Sequence, residues 1–392
     1  MKKAVVVGAG IMGHGICELM ALAGLEVTLV DIKEVLLEKA VNEIKWSLEK
    51  FVERKRVKEE DAKNAMSKIG TSLDLEEAVR DVDVVVEAVP ENLDLKKSIF
   101  KKLDNSAPEH SILASNTSSL SITEMAKATG RPDKVVGMHF FNPPMFMALV
   151  EVIRGDETSD DTMDSMVELV KRLGKTPIVV RKDVRGFIVN RVLGAVLNEA
   201  FWNVHRGEAT IEEVDAAVKH KAGFPMGAFE LADVIGLDVM HEVLNVLEEA
   251  HEHALEECPD VERLFKDGNL GRKTGRGFYD WKEGRPKIPK HQADKFDIQR
   301  LHAVAINEAA RLIHEGVAGP EDIDQGMKLG TGWPSGPCEQ GDKLGLDVVH
   351  EKLKELHARY GEKNYRPCPL LEDYVGKGWT GKNAERGFYE YA

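Results

Sequence analysis

The sequence predicts a chain in two parts, an α/β part with an open sheet followed by an all-helical part that is built twice. Three observations support this prediction. A glycine-rich turn joins the first apolar run to the first helical pattern. Apolar runs of strand length then alternate with amphipathic helical patterns as far as residue 180. From Gly186 onward the strand patterns end, and the chain aligns with itself when it is shifted by 109 residues.

The first turn has the pattern Gly-x-Gly-x-x-Gly and follows the predicted strand Lys3–Val7. Gly8 allows the tight turn, Gly10 lets the backbone approach a pyrophosphate, and Gly13 lets the helix pack closely on the strand. The unpaired N–H groups at the helix N-terminus would face the phosphates. We therefore predict a Rossmann-type dinucleotide site, whose turn residues are Gly8, Gly10, Ile11, Met12 and Gly13.

A carboxylate at the end of the second strand indicates which dinucleotide binds. Glu26–Val30 has a strand pattern, and Asp31 stands 18 residues after Gly13. A carboxylate at this point can bond both ribose hydroxyls of NAD, whereas it would repel the 2′-phosphate of NADP. NAD is therefore the predicted cofactor. The alternative is a structural glycine turn that holds no cofactor.

A long, highly charged segment follows the second strand. Glu34–Lys68 has apolar residues at helical spacing, which predicts two helices joined near Arg56–Glu60. The segment contains a cluster of bases that could meet ligand phosphates, although an ordinary solvated face explains them equally well. These bases are Lys50, Arg54, Lys55 and Arg56.

Three further strands would bring polar side chains to one edge of the sheet. These strands are Asp83–Val89, Ser111–Ser115 and Val135–His139. In open α/β sheets, ligands bind beyond the carboxyl ends of the strands. Glu91 and the polar run Asn116–Ser119 follow the first two of these strands. The polar run could cap a helix that starts near residue 121, or it could hold the oxygens of a substrate.

His139 ends the third of these strands, and a lone histidine there is more often a satisfied core residue than a catalytic one. The next strand pattern, Met147–Ile153, is interrupted by one carboxylate, Glu151, which is costly to bury without a partner. If the two strands are neighbours, Glu151 can bond one ring nitrogen of His139 and leave the other to accept a proton. A helix over Asp160–Leu173 and a strand over Thr176–Val180 complete this part.

The helical half is an internal duplication. Only the first copy carries the asparagine Asn190 and the lysine Lys273, because the second copy has Gln299 and Asn383 at these places. We predict an α/β Rossmann-type NAD-binding domain followed by two repeated all-α domains, with boundaries at 1–183, 184–284 and 294–392 and a linker within Lys282–Lys290. Other aligned pairs are Asn198 and Asn307, Asp215 and Asp324, Gly223–Gly227 and Gly332–Gly336, Asp233 and Asp342, and, after one more residue of offset, Gly277–Tyr279 and Gly387–Tyr389.

The composition of the chain limits the kinds of partner that it can bind. The chain has 53 Lys and Arg against 67 Asp and Glu, a net charge of −14, which argues against nucleic acid or an anionic membrane as the main partner. The sequence has no apolar run of membrane-spanning length, and a strand pattern so close to the N-terminus leaves no room for a secretory signal. The four cysteines have neither disulfide-framework nor metal-site spacing. We expect a cytoplasmic protein with reduced thiols and no metal.

Taken together, several motifs resemble the L-3-hydroxyacyl-CoA dehydrogenase family. They appear in that family's order across residues 1–281, and residues 295–391 resemble its C-terminal domain a second time, as in its longer members. The resemblance implies NAD-dependent, reversible oxidation of (S)-3-hydroxyacyl-CoA to 3-oxoacyl-CoA, in fatty-acid β-oxidation or short-chain acyl-CoA metabolism. The motifs are Gly8–Gly13, Ser115–Ser119, His139–Pro143, Glu151–Ile153, Gly186–Arg191 and Lys273–Tyr279.

The resemblance also implies roles for single residues. His139 would be the catalytic histidine, Glu151 its carboxylate partner, and Ser118 and Asn190 the contacts to the reacting end of the substrate. Ser47 matches a serine that contacts CoA, and Arg54 stands where the family's second CoA contact is lysine. The positions that would line NAD are Glu91, Lys96, Asn142 and Lys273.

Single-repeat relatives form dimers through the helical domain, so we expect a monomer or a homodimer through the helical domains, with acyl-CoA as the small-molecule partner. Two alternatives remain for the function. One is an NAD-dependent dehydrogenase of a free hydroxy acid or sugar acid, and the other is a non-catalytic NAD-binding relative.

Overall fold

A computed structural model describes residues 1–391, which form two compact units, one of residues 1–184 and one from residue 185 onward. The first unit is built on an eight-stranded sheet with the order β3-β2-β1-β4-β5-β6-β7-β8. Because six of its strands are parallel and helices connect them, the predicted α/β Rossmann-type fold is confirmed. The strands are β1 Lys3–Val7, β2 Glu26–Val30, β3 Ile69–Ser72, β4 Val84–Glu87, β5 Ile112–Ser115, β6 Val135–Phe140, β7 Leu149–Arg154 and β8 Thr176–Val180.

The helices of this unit include the predicted pair after β2. They are joined at residues 54–58, slightly before the expected position. The sequence prediction passed over β3, because its side chains are half-buried or exposed and form no apolar run. The helices are α1 Ile11–Leu22, α2 Glu34–Glu53, α3 Glu59–Ser67, α4 Leu75–Ala78, α5 Leu93–Ser106, α6 Ile122–Ala126 and α7 Asp160–Arg172.

The last two strands reverse the direction of the sheet. β7 runs antiparallel to β6, since the short loop over residues 141–148 cannot make the crossover that a parallel pair needs. β8 is parallel to β7. The reversal places Glu151 directly opposite His139 in the register of the β6–β7 pair. The neighbouring strands that the sequence prediction required are therefore present.

The second unit is entirely helical apart from isolated bridges, and its helices occur in two matching series. Helices α8–α12 correspond in order to helices α13–α17, so the predicted duplication is confirmed. Both copies lie in the same compact unit, and the predicted boundaries at 284 and 294 stay predictions. The helices are α8 Val189–His205, α9 Ile211–His220, α10 Ala228–Ile235, α11 Leu237–Ala250, α12 Pro259–Lys266, α13 Gln299–His314, α14 Pro320–Thr331, α15 Pro337–Leu344, α16 Leu346–Tyr360 and α17 Pro369–Gly376.

Buried aspartates explain why the same motif recurs in both copies. Asp233 accepts hydrogen bonds from the backbone N–H groups of Phe278 and Tyr279, both at 2.9 Å. Asp342 makes the two equivalent bonds in the second copy, also at 2.9 Å. A Cβ at Gly277 would lie 2.0 Å from the Asp233 carboxylate, so only glycine fits beside it. The repeated Asp and Gly-Phe-Tyr motifs thus fasten the end of each copy to its α10 or α15 helix.

The two copies meet through α8 and α13, with reciprocal ion pairs. Arg191 of the first copy donates from Nε to Glu308 of the second. Arg300, which aligns with Arg191, donates from Nε to Glu199, which aligns with Glu308. All four side chains are at least nine-tenths buried. Each copy therefore supplies the arginine for one pair and the glutamate for the other.

Candidate active site

The glycine turn has the shape that the sequence predicts for a dinucleotide site. Gly8 has φ +105°, and a Cβ there would lie 2.6 Å from the carbonyl oxygen of Ala88. A Cβ at Gly13 would lie 1.8 Å from the carbonyl oxygen of Gly8, so helix α1 packs directly on the turn. Around Gly10, by contrast, no heavy atom of the described chain beyond its neighbours lies within 4 Å of a Cβ. The turn thus leaves open space at the residue that should approach a pyrophosphate.

Asp31 lies at the carboxyl end of β2, next to this turn. Its Oδ2 accepts a hydrogen bond from the backbone N–H of Ala9 at 2.8 Å. The carboxylate is therefore held beside the glycine-rich segment, at the place where a ribose would extend from a bound pyrophosphate. These residues fit NAD. Ile11 is 66% exposed and Met12 half-buried at the start of α1, and their roles as NAD contacts stay predictions.

His139 and Glu151 form a buried hydrogen-bonded pair. Nδ1 of His139 lies 2.6 Å from Oε2 of Glu151. His139 is 6% exposed and Glu151 is fully buried. The two strands that carry them place the pair in register, and the ring of Phe141 lies 4.6 Å from the imidazole, centroid to centroid. The carboxylate therefore fixes one tautomer of the ring, with the proton on Nδ1 and the lone pair on Nε2.

Glu91 organises the polar run that follows β5. It accepts hydrogen bonds from the backbone N–H groups of Ser118 at 2.9 Å and Ser119 at 3.2 Å, and from the hydroxyl of Thr117. Burial opposes the ionisation of Glu91, but the charge of Lys96 and these hydrogen bonds outweigh it, so its pKa lies below the usual value. The carboxylate is thus negative at neutral pH and fixes the backbone on which Ser118 stands.

Lys96 is held by a carboxylate that the sequence prediction missed. Its Nζ donates to Glu87 at 2.7 Å and lies 3.3 Å from Glu91. Lys96 and Glu87 are both fully buried, and Ser115 donates to Glu87 at 2.6 Å. Glu87 is a lone charged residue in the apolar strand β4, the same signal that pointed to Glu151. The role of Lys96 beside NAD stays a prediction.

The predicted CoA contacts lie on α2. Ser47 is half-buried, and Arg54 is exposed just after the last residue of the helix. They are seven positions apart, which places them on one side of the helix about two turns from each other. The Ser47 hydroxyl donates to Oε1 of Glu18 on α1 at 2.9 Å. The sequence prediction did not consider Glu18.

The other predicted site residues are distributed over both units. Asn142 is exposed in the loop after β6. Asn190 is half-buried in the first turn of α8, in the second unit. Lys273 lies in a 3₁₀ turn of the second unit and is ion-paired with Asp238. The predicted roles of these three residues in binding NAD and the substrate stay proposals.

One cluster of metal-ligand type occurs in the described part of the chain. His205, Cys258 and Asp260 present ligand atoms within 4.8 Å of one another. His205 is more than fifty positions from Cys258 and Asp260, so the spacing of the sequence could not reveal the cluster. Burial raises the pKa of the Cys258 thiol to about 12, so without a metal Cys258 is a protonated thiol. His205 is hydrogen-bonded to Asp260 at 3.0 Å. We therefore assign no metal ion to these three residues.

Family models match nearly the whole chain. The model of the 3-hydroxyacyl-CoA dehydrogenase NAD binding domain matches residues 3–184, and that of the C-terminal domain matches residues 186–281 and again residues 296–391. The chain belongs to the 3-hydroxyacyl-CoA dehydrogenase family. The resemblance predicted from the motifs is confirmed, including the second C-terminal domain.

Individual members of the 3-hydroxyacyl-CoA dehydrogenase family are similar over long stretches. The mitochondrial hydroxyacyl-coenzyme A dehydrogenase of Homo sapiens is 44% identical over 289 residues, 72% of this chain and 92% of the relative. A probable 3-hydroxybutyryl-CoA dehydrogenase of Bacillus subtilis is 42% identical and covers 72% of this chain and 98% of its own length. The crystal structure of 3-hydroxybutyryl-CoA dehydrogenase from Escherichia coli superposes with a TM-score of 0.90 and 29% identity, over 96% of this chain and 99% of that one.

None of the helices in the described part of this family member combines the length and the apolar character that a membrane span requires. Its four cysteines, Cys17, Cys258, Cys338 and Cys368, are buried and free of disulfides.

Proposed function

We propose that this chain catalyses the NAD-dependent, reversible oxidation of (S)-3-hydroxyacyl-CoA to 3-oxoacyl-CoA, in fatty-acid β-oxidation or short-chain acyl-CoA metabolism. The observation that carries the proposal is the buried His139–Glu151 pair, 2.6 Å apart, at the carboxyl edge of the sheet that also carries the glycine turn. Members of the family with similar sequences are named for this activity.

The chemistry divides between the cofactor and the chain. When bound, NAD would supply the redox chemistry, because its nicotinamide can accept a hydride from C3 of the substrate. His139 takes the hydroxyl proton at Nε2, because its Nδ1 proton is donated to Glu151. Glu151 then balances the charge of the imidazolium. General base catalysis of this kind contributes ~10²–10⁴-fold in rate.

Other residues would bind NAD and orient the substrate. We assign NAD to the turn residues Gly8, Gly10, Ile11, Met12 and Gly13 and to Asp31, with further contacts from Glu91, Lys96, Asn142 and Lys273. Ser118 and Asn190 would donate hydrogen bonds to the substrate oxygens and so position C3. Support for Ser118 comes from its backbone, which Glu91 fixes through a 2.9 Å hydrogen bond.

The CoA part of the substrate would lie along α2. Ser47 and Arg54 present a hydroxyl and a guanidinium on one face of that helix, and the neighbouring Lys50, Lys55 and Arg56 add positive charge. This local basic surface suits the phosphates of CoA in a chain whose net charge is −14. Nucleic acid and membranes are not proposed as partners.

We further propose that the chain is a cytoplasmic monomer or a homodimer through its helical domains. The reciprocal ion pairs between the two copies support the monomer, since each copy already covers the α8 or α13 helix of the other.

The deciding experiment is an assay of NADH formation with (S)-3-hydroxybutyryl-CoA, longer (S)-3-hydroxyacyl-CoAs and free 3-hydroxybutyrate. We expect turnover of the thioesters only and its loss in His139→Gln, with NAD binding retained. Turnover of the free acid with inert thioesters would establish the hydroxy-acid alternative instead. Binding of NAD without turnover of any substrate would favour the non-catalytic alternative.

A further inference from the structure

Glu18, in the middle of α1, is a buried carboxyl group with an unsatisfied oxygen. It is 1% exposed, and its Oε1 accepts the Ser47 hydroxyl at 2.9 Å. Its Oε2 is buried and has no hydrogen-bond partner within the described part of the chain. The ionised form of a buried carboxyl group is poorly stabilised when it accepts only one hydrogen bond. Burial accordingly raises the pKa of Glu18 to about 8, against a smaller lowering by the Ser47 bond.

The protonation of Glu18 determines what Ser47 can offer to a ligand. A serine hydroxyl has one proton to donate, whereas an ionised carboxylate can only accept. When Glu18 is ionised, the Ser47 proton is committed to it, and Ser47 presents only lone pairs elsewhere. When Glu18 is neutral, its own O–H can donate to Ser47. The Ser47 proton is then available for a ligand oxygen.

The ligand that Ser47 is assigned to meet presents mainly acceptors at its polar groups, namely the phosphate and carbonyl oxygens of an acyl-CoA. Resting on the function proposed above, we propose that Glu18 is a positioning residue for CoA, whose neutral form turns Ser47 into a hydrogen-bond donor toward the acyl-CoA. Ionisation of Glu18 withdraws that donor. Binding of the thioester is then linked to uptake of a proton by Glu18.

The groups around this pair are consistent with a proton held by Glu18 itself. Burial and the negative charge of Glu18 raise the pKa of Cys17, the adjacent titratable group on α1, to about 12, so it stays a thiol. Helix α3 faces α1 with the apolar side chains of Ala62 and Ala65. Further titratable groups on these two helices include His14, one turn earlier on α1, and Glu43 and Lys50, on either side of Ser47 on α2. Lys50 is paired with Glu53.

The test is calorimetry of butyryl-CoA, a thioester that lacks the 3-hydroxyl and cannot be oxidised, with the full-length chain. Titrations between about pH 7 and about pH 9.5, in buffers of different ionisation enthalpy, give both Kd and the number of protons exchanged. We expect Kd to rise about tenfold over this range, the scale of one hydrogen bond to a charged group. Binding above about pH 8 should take up a large fraction of one proton.

Three variants determine whether the proton taken up on binding belongs to Glu18. Glu18→Gln should bind with no proton uptake and a Kd that is flat with pH, and Ser47→Ala should bind more weakly, also without pH dependence. Glu43→Gln, an exposed acid removed from α2, should behave as the wild type. Binding without proton uptake, or the same pH dependence in Glu18→Gln, would overturn the role of Glu18 while leaving the CoA function intact. Failure of butyryl-CoA to bind at any pH would overturn both.

Discussion

His139 and Glu151 hold each other because they are a cross-strand pair on adjacent antiparallel strands. Their geometry therefore depends on the sheet rather than on a loop. A substitution of either side chain should change the chemistry of the pair without moving the backbone. The amide of a glutamine can still accept from Nδ1, but it cannot balance the charge of an imidazolium.

We expect Glu151→Gln to lower kcat by about 10²-fold, within the range of general base catalysis, while KM for NAD stays near the wild-type value. His139→Gln, which removes the base itself, should lose at least as much. Steady-state kinetics with (S)-3-hydroxybutyryl-CoA measures both variants. A Glu151→Gln enzyme with near-normal kcat would contradict the assigned role.

Glu18 also predicts how stability depends on pH. Its pKa is raised to about 8 in the folded chain from 4.5, so the folded state binds the proton more tightly than the unfolded state. Its contribution to stability is fully present below about pH 4.5 and is lost as pH rises through 8. We expect the free energy of unfolding of the wild type to fall by a few kcal/mol relative to Glu18→Gln over this interval. Urea titrations at several pH values measure the difference. Parallel pH profiles of the two proteins would disprove it.

Among the elements, the strands with an apolar run and the helices with an apolar period of 3.6 were predictable. This holds for β1, β2 and β4–β8, for the paired helices after β2 and for the duplicated helical series. β3 was not predictable, since a short edge strand with half-exposed side chains buries no apolar run. The His139–Glu151 pair was predictable because a lone carboxylate in an apolar strand needs a partner.

The rest of the candidate site depends on contacts between different helices and strands, and the local sequence pattern does not show which residues will meet. Glu87 gives the same signal as Glu151, yet its partner Lys96 lies on the following helix rather than on a neighbouring strand. Glu18 lies within a helix, where a single acid is common, and only its burial against Ser47 distinguishes it.

The Glu87–Lys96 pair ties β4 to α5, and two adjacent lysines offer a matched comparison. Lys96→Met would leave Glu87 charged, fully buried and without its ammonium partner, which costs about 3–5 kcal/mol. Lys97→Met removes a more exposed pair with Glu124 and should have a much smaller effect. Chemical denaturation compares the two variants. Equal losses of stability would show that the buried pair is not the source of the effect.

For the whole molecule, the reciprocal ion pairs predict the consequence of removing one copy. Truncation after residue 284 would deprive Arg191 of Glu308 and uncover the side of α8 that packs on α13. Glu199 of a second molecule can occupy the place of Glu308, because the two positions align. We expect the truncated chain to form a dimer, and we expect the full chain to give the 43.5 kDa mass of a monomer in light scattering. A truncated chain that remains a soluble monomer would contradict this expectation.

The two copies are no longer free to diverge independently. A duplicated segment can usually accumulate changes in one copy while the other preserves the original role. Here the loss of Glu199 would leave Arg300 buried without its carboxylate partner, and the loss of Glu308 would do the same to Arg191. A substitution in either copy would therefore destabilise the other copy as well. The second copy has Gln299 and Asn383 where the first has Asn190 and Lys273, yet both copies have the arginine and the glutamate of the ion pairs. Inheritance of this chain therefore links the second copy, which lacks the proposed site residues Asn190 and Lys273, to the first copy, which has them.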